Sequence, residues 1–324
     1  MHETKTDKRS LITAQYQRLM NSIRSKRWQW LAGLAICAVV YGYIGLRLWR
    51  DWRTLDLSMF QLRPGPLFFS WAAHGIGTLI AISTWMLLLR QMGYALPLRR
   101  HIKVYTTSNL VRRLPGFVWW VVGRAYMYDH DGVSKLETSA GSLLEMILIS
   151  AGATAVALLT MLLSFGTPQA VNPLVLAGLL IALGALLQPR LFALIRRRLT
   201  LAADLPSISW RRLAFWLINE MLVVTLGGLA LYFMLAAIYP VTAVAALGAI
   251  QGWALMVVSG MLLVWLPIDF GISNGVLVLI LSVFLPAPVA FVVVVIWRCW
   301  VAVCELLWGV FGLLLPASTS ESSH

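Results

Sequence analysis

Four ionisable residues stand inside long apolar runs: Glu145, Glu220, Arg298 and Glu305. A charge in hydrocarbon is costly, so such residues are usually paired and mark pathways for ions, protons or polar headgroups. For Glu145 and Glu220 a place near a span end, within reach of the interface, is the plainer alternative. Arg298 and Glu305 are seven positions apart, which puts them on one helix face ~10 Å apart along the axis. They are too distant to pair, so each requires another partner or a ligand.

Three arginines form a second group. Arg112 and Arg113 precede Leu114-Pro115-Gly116-Phe117-Val118-Trp119-Trp120, and Arg124 follows it. Guanidinium groups stay charged and bind phosphate oxygens in bidentate fashion. Pro115 breaks a helix and Gly116 permits unusual backbone angles, while Trp119 and Trp120 suit headgroup depth. The segment reads as a broken or re-entrant element dipping from the cytoplasmic face. Irregular backbone survives at that depth only where protein or a water-filled cavity covers it. Arg112 and Arg113 have an equally good reading as anchors that snorkel to the interface. Arg124, behind the two tryptophans, is the better phosphate ligand. A third group, Asp269 and Asn274, lies where Pro267, Gly271 and Gly275 interrupt another apolar run. That is the pattern of a discontinuous helix whose freed backbone groups hold an anion, or of a tight cytoplasmic turn. The two broken elements are expected to wall one polar cavity.

Catalytic and metal chemistry find little support. None of His2, His74, His101, His130 and His324 forms a ligand pair at helical spacing, and Asp129-His130-Asp131 reads as a solvated turn. No Gly-x-x-x-x-Gly-Lys-[Ser/Thr] phosphate loop occurs. Cys37, Cys299 and Cys304 lie in apolar runs without metal-ligand spacing. They read as reduced thiols, and the last two point in different directions from one helix. No catalytic residue, metal or cofactor is expected, and the chain is read as a non-enzyme.

The elements that must position these residues are transmembrane helices. Of the 324 residues 60% are hydrophobic and only 12% charged, against roughly a quarter charged in soluble domains. A soluble core of this size would need far more polar surface. Lipid removes that need but demands internally satisfied backbone, which favours helices. Charge-free gaps run from Arg27 to Arg47, Arg63 to Arg90, Glu145 to Arg190, Glu220 to Asp269 and Asp269 to Arg298. At ~20 residues per span they hold one, one, two and two helices, then a half-helix before a last span ending near Leu315. Thr167-Pro168, Asn172-Pro173 and Tyr239-Pro240 supply the breaks. The expected fold is all-α: a polytopic bundle of about seven to eight spans with broken or re-entrant helices, within a single domain over 28–315. Residues 1–27 form a basic cytoplasmic arm, read as an amphipathic helix on the inner leaflet or as a solvated arm, and 316–324 a loose polar tail.

The net charge of +13 is unevenly placed. Lys and Arg number seven over 1–27, eight over 90–135 and six over 190–212, with none over 165–172 or 239–242. The positive-inside bias puts the N-terminus and both basic loops in the cytoplasm. Residues 47–63 run against it with four arginines, partly offset by Asp51 and Asp56. Orientation bias plus attraction to anionic headgroups explains the basicity, and nucleic acid is not an expected partner. Glu145-Met146 and Glu220-Met221 open similar segments, with Ser150 and Gly152 matching Thr225 and Gly227. Chance in Leu-rich sequence suffices for so short a match.

The order Arg113-Leu114-Pro115-Gly116-Phe117-Val118-Trp119, Gly123-Arg124, Gly132-Val133-Ser134, Ser142-Leu143-Leu144-Glu145 resembles the lysylphosphatidylglycerol synthase transmembrane-region family. That family includes the flippase part of the multiple peptide resistance factor. The likeness covers roughly residues 30 to 315. Of the family's Pro-Gly-Gly-x-Gly-x-x-Glu-Gly motif, Pro267, Gly271 and Gly275 match, while Ile268, Asp269 and Asn274 replace Gly, Gly and Glu. Arg298 falls where the family commonly has an arginine. The resemblance implies a phospholipid or polyprenyl-phosphate client, flipped across the inner membrane or presented to a separately encoded biosynthetic enzyme. It implies no synthase, since the family's aminoacyl-transferring domain has no room here. On this reading Arg112, Arg113, Arg124, Glu145, Glu220, Asp269, Asn274 and Arg298 contact the client.

Overall fold

A computed structural model describes residues 60–111, 119–164, 178–181, 209–262 and 269–315, with scattered positions between 39 and 58. The basic arm, most of the first predicted span, Arg112, Arg113 and the polar tail lie outside the described residues. All regular structure among those described is helical: α1 (Pro64–Gln91), α2 (Leu98–Val111), α3 (Trp119–Asp129), α4 (Lys135–Leu163), α5 (Trp210–Ile238), α6 (Ala245–Leu262), α7 (Asp269–Leu281) and α8 (Ala287–Leu314). The chain is an all-α, multi-pass membrane protein. Four helices, α1, α4, α5 and α8, have 28 or 29 residues and are apolar enough to cross a bilayer. Large side chains such as Phe68, Trp71, Leu162, Ile218, Leu222 and Phe311 are exposed on them, as lipid-facing residues are. The predicted break at Tyr239-Pro240 separates α5 from α6, and the predicted half-helix after Asp269 is α7.

Sequence chemistry sets the helix ends. Pro64 occupies the first turn of α1, where its missing N–H is no loss. Both α1 and α3 stop at a glycine with positive φ, Gly93 at 97° and Gly132 at 76°. In each the glycine N–H returns to a carbonyl three residues back, and the following N–H to one five back: Gly93 to Arg90 and Tyr94 to Leu89, Gly132 to Asp129 and Val133 to Tyr128. This is the Schellman stop. At the start of α4, Ser134 accepts from the Glu137 N–H at 3.2 Å, and the Ser134 hydroxyl donates to the Glu137 carboxylate at 2.7 Å.

Contacts between helices give their directions. Ser70 on α1 donates to the Ala230 carbonyl on α5 at 2.7 Å, and Asn219 on α5 donates to Thr84 on α1 at 3.3 Å, so the two run antiparallel. α8 runs parallel to α1, with Trp300 donating to Ser70 at 2.9 Å and Trp308 lying against Gly75. α4 runs parallel to α5, both starting around a shared cluster of Leu144, Leu148, Leu213 and Trp216, with Gly152 pressed on the Glu220 backbone further along.

The remaining helices have shorter described parts. Those of α2 and α3 cover 14 and 11 residues, or ~21 and ~17 Å. They form a hairpin whose two outer ends meet: Arg100 pairs with Asp131 at 2.7 Å and donates to the Met127 carbonyl at 2.7 Å. The hairpin therefore enters the bundle and returns to the same end, near the α1–α4 junction. α6 and α7, with 18 and 13 residues, form a second hairpin. Gly248 meets Phe284 and Gly252 meets Leu277 and Ile280. It enters from the opposite end, where α5 finishes and α8 begins.

The chain thus repeats one pattern, long helix, short hairpin, long helix, first as α1–α4 and then as α5–α8 with every direction reversed. Packing follows the repeat: α2 lies on α8, with Leu110 against Gly309 and Thr106 against Gly312, as α6 lies on α4, with Ala254 and Val258 clustered among Ala153, Val156 and Ala157. The helix pairs that this relation equates are α4 with α8 and α1 with α5. The short sequence match between the Glu145 and Glu220 segments equates α4 with α5, so it is not the structural repeat.

Candidate functional site

The first hairpin carries two polar stripes at helical spacing: His101, Tyr105 and Ser108 on α2, and Trp120, Arg124 and Tyr128 on α3. They meet on the buried side, against α1 and α4. Arg124 is 1% exposed. Its Nη1 donates to Glu145 Oε2, and its Nε reaches Ser108 Oγ at 3.5 Å. Its guanidinium carbon lies 4.2 Å from the Trp85 ring centroid, 4.5 Å from Tyr105 and 4.7 Å from Trp120. Three rings around one cation supply cation–π attraction where water is excluded, ~2 kcal/mol for a desolvated contact. The second Glu145 oxygen accepts from the Tyr105 hydroxyl at 3.0 Å.

Behind Arg124 lies a hydrogen-bonded relay. Trp85 Nε1 donates to the Tyr128 hydroxyl oxygen at 2.9 Å. The same hydroxyl shares a hydrogen bond with His101 Nδ1 at 2.8 Å. The His101 Nε2 is buried without a hydrogen-bond partner.

Glu220 lies on α5 where Gly152 of α4 presses on its backbone. It is 2% exposed. Glu145 and Tyr105 are within electrostatic reach, yet no hydrogen bond or ion pair to Glu220 exists among the described residues. The span-end alternative therefore fails for Glu220, which sits in the interior.

In the second half the polar pair is Asn274 with Arg298, whose Nε donates to Asn274 Oδ1 at 2.5 Å. Arg298 thus has a partner other than Glu305, as its spacing required. Asn274 stands on α7 and Arg298 on α8, as Arg124 stands on α3 and Glu145 on α4. Each half thus pairs a residue of its hairpin's second helix with one of the long helix that follows. Asp269 is the first residue of α7, and its side chain lies outside the described residues, as do Arg112 and Arg113.

Of the eight candidates the structure joins Arg124, Glu145 and Glu220 in one cluster and Asn274 with Arg298 in another. Sequence reasoning missed Trp85, Tyr105, Ser108 and Tyr128. The four-and-three spacing of His101, Tyr105 and Ser108 and the fours of Trp120, Arg124 and Tyr128 were the available signals. The Asp129–Asp131 segment is more than a solvated turn, since Asp131 closes the hairpin through Arg100 and Asp129 pairs with Lys135 at 3.1 Å. Cys299 is exposed and Cys304 buried, as their spacing implied. No family model matches the chain, and no curated protein matches it in sequence.

Proposed function

We propose that this protein binds an anionic lipid, a phospholipid or a polyprenyl-phosphate-linked lipid, in the inner membrane, and moves it between leaflets or presents it to a partner enzyme. The N-terminus is cytoplasmic, by the distribution of Lys and Arg. The observation that supports the reading most is the pair of opposed hairpins, one holding the buried Arg124 with Glu145 and the other the part-buried Asn274 with Arg298, inside an apolar bundle. Inverted repeats with interrupted helices are the frame on which many transporters bind polar groups near mid-membrane. Buried ionisable residues in such a frame are functional by default. Arg124 and Arg298 supply the cations for a phosphate, Asn274 a donor amide, and Glu145 a carboxylate that exchanges Arg124 between a resting pair and a headgroup. Arg112 and Arg113 lie in sequence between α2 and α3, in the connection of the first hairpin, and Asp269 opens α7. The resemblance to the lysylphosphatidylglycerol synthase transmembrane region supports the same client class.

A second reading, a non-transporting accessory subunit of a lipid or glycan biosynthetic complex, is favoured by the completeness of the Arg124 cage, which suits a structural cation. Purified protein in liposomes separates the two. Transport is expected to accelerate transbilayer exchange of a labelled phospholipid or polyprenyl phosphate, and Arg124→Ala and Arg298→Gln to reduce it. Exchange indistinguishable from protein-free liposomes with every probe, alongside co-purification with a synthase or glycosyltransferase, would establish the accessory role instead.

A further inference from the structure

We infer that Glu220 is a binding site for one positive charge, a proton or an alkali-metal cation, set beside the Arg124–Glu145 pair. The other ionisable and hydroxyl groups of the cluster are committed. Arg124 and Tyr105 both bond Glu145, one to each oxygen, and Tyr128 bonds Trp85 and His101. Glu220, 2% exposed, has none of these. The cluster counts one guanidinium against two carboxylates, and the guanidinium is already spent on Glu145, Ser108 and three aromatic rings. An ionised carboxylate so placed carries an uncompensated desolvation cost of several kcal/mol. One added positive charge removes it.

Among the described residues no resident group does this. From α4 the charged group facing Glu220 is Glu145, and from α2 the nearby titratable group is Tyr105. α1 presents Thr84 at this level, held by the neighbouring Asn219, and its His74 and Arg90 lie more than a helical turn from Thr84. α6 contains no ionisable side chain. Helical side chains lean toward the N-terminus of their helix, so the Glu220 carboxylate leans toward the end of the bundle that holds Arg124. A cation on Glu220 therefore sits where its arrival or departure changes the field on the Arg124–Glu145 pair.

The test is thermal unfolding of the full-length protein in nanodiscs of neutral lipid, at constant ionic strength. One arm lowers pH with a bulky organic cation as the only salt; two others add sodium or potassium at fixed pH. Each is read as the difference between wild type and Glu220→Gln, which cancels groups such as His101 that titrate in both. Wild type is expected to gain stability relative to Glu220→Gln in one arm, the acid arm identifying a proton and a salt arm an alkali cation. An identical response of the two proteins in all arms overturns the site. If Glu220→Gln does not fold, Glu220→Asp keeps the charge on a shorter arm and must retain the response; its loss overturns the site as well. Unfolding is read without any lipid movement, so absence of lipid exchange leaves this response standing, and its failure leaves lipid exchange standing.

Discussion

The two hairpins share a topology and differ in what they bury. α2–α3 brings a cation, a histidine and two tyrosines into contact with Trp85 and Glu145. α6–α7 brings mostly aliphatic and small residues into the largest apolar core, where Trp253 meets Trp297 edge-on at 5.5 Å. Its Asn274–Arg298 pair joins a neutral amide to a cation. The long helix after the hairpin contributes Glu145 in one half and Arg298 in the other, so the charge it brings to the pair is reversed. The difference teaches that the frame is made by helix length, direction and close packing, while the polar positions are free to diverge within it.

The largest expected effect that sharpens this contrast is at Arg124. Arg124→Ala leaves Glu145 buried without its ion-pair partner and is expected to cost ~3–5 kcal/mol, seen as a lowered unfolding temperature. The double variant with Glu145→Ala is expected to recover much of the loss in a double-mutant cycle; additive losses would mean the two do not act as a pair. Next come the helix contacts. Gly312→Leu drives a side chain into Thr106 and separates α2 from α8, and Gly248→Leu drives one into Phe284 in the turn that follows α7. Overpacking of this kind costs ~1–3 kcal/mol. Only the first should change the fluorescence of the tryptophans around Arg124; an equal change from both would break the separation of the halves.

Smaller is Arg298→Gln, which removes a cation bonded to an amide and is expected to cost ~1–3 kcal/mol, less than Arg124→Ala in the same assay. Tyr128→Phe removes the acceptor for Trp85 and the hydrogen-bond partner of His101 and is expected to cost a similar ~1–3 kcal/mol. It should leave the Arg124 pair intact by the same double-mutant cycle. Smallest is Arg100→Ala at the hairpin mouth, where both partners keep 18% exposure. About 1 kcal/mol or less is expected there, and a loss as large as that of Arg124→Ala would shift the weight of the hairpin from its core to its mouth.

Much of the frame was legible. Charge gaps predict helices because an unpaired charge in hydrocarbon is costly; α1 fills the gap from Arg63 to Arg90, whereas α4, α5 and α8 only overlap theirs and carry Glu145, Glu220, and Arg298 with Glu305 inside them. Tyr239-Pro240 and Pro286 mark real breaks because proline cannot continue a helix. Arg124, Glu145 and Glu220 were legible as odd charges, but their partners were not. Trp85 reaches Tyr128 across 43 positions and Tyr105 reaches Glu145 across 40, and such pairings depend on how α2 and α3 fold back, which no local pattern records. The inverted repeat was hidden for a related reason. Two bundles related by reversal need the same lengths and packing surfaces, not the same residues, and the visible Glu-Met likeness points to the wrong helix pair.

The collar at the mouth of the first hairpin has a consequence of its own. The Tyr94 hydroxyl bonds Glu137, tying the exit of α1 directly to the entry of α4, and Arg100–Asp131 ties the two feet between them. The described residues of α2 and α3 are thus held at their feet by this collar and along α2 by α8, as a stopper is held in a neck. They pack there on Trp85, Leu88, Leu144, Leu148, Leu213 and Trp216, so loosening the collar would free the feet of the hairpin before its body.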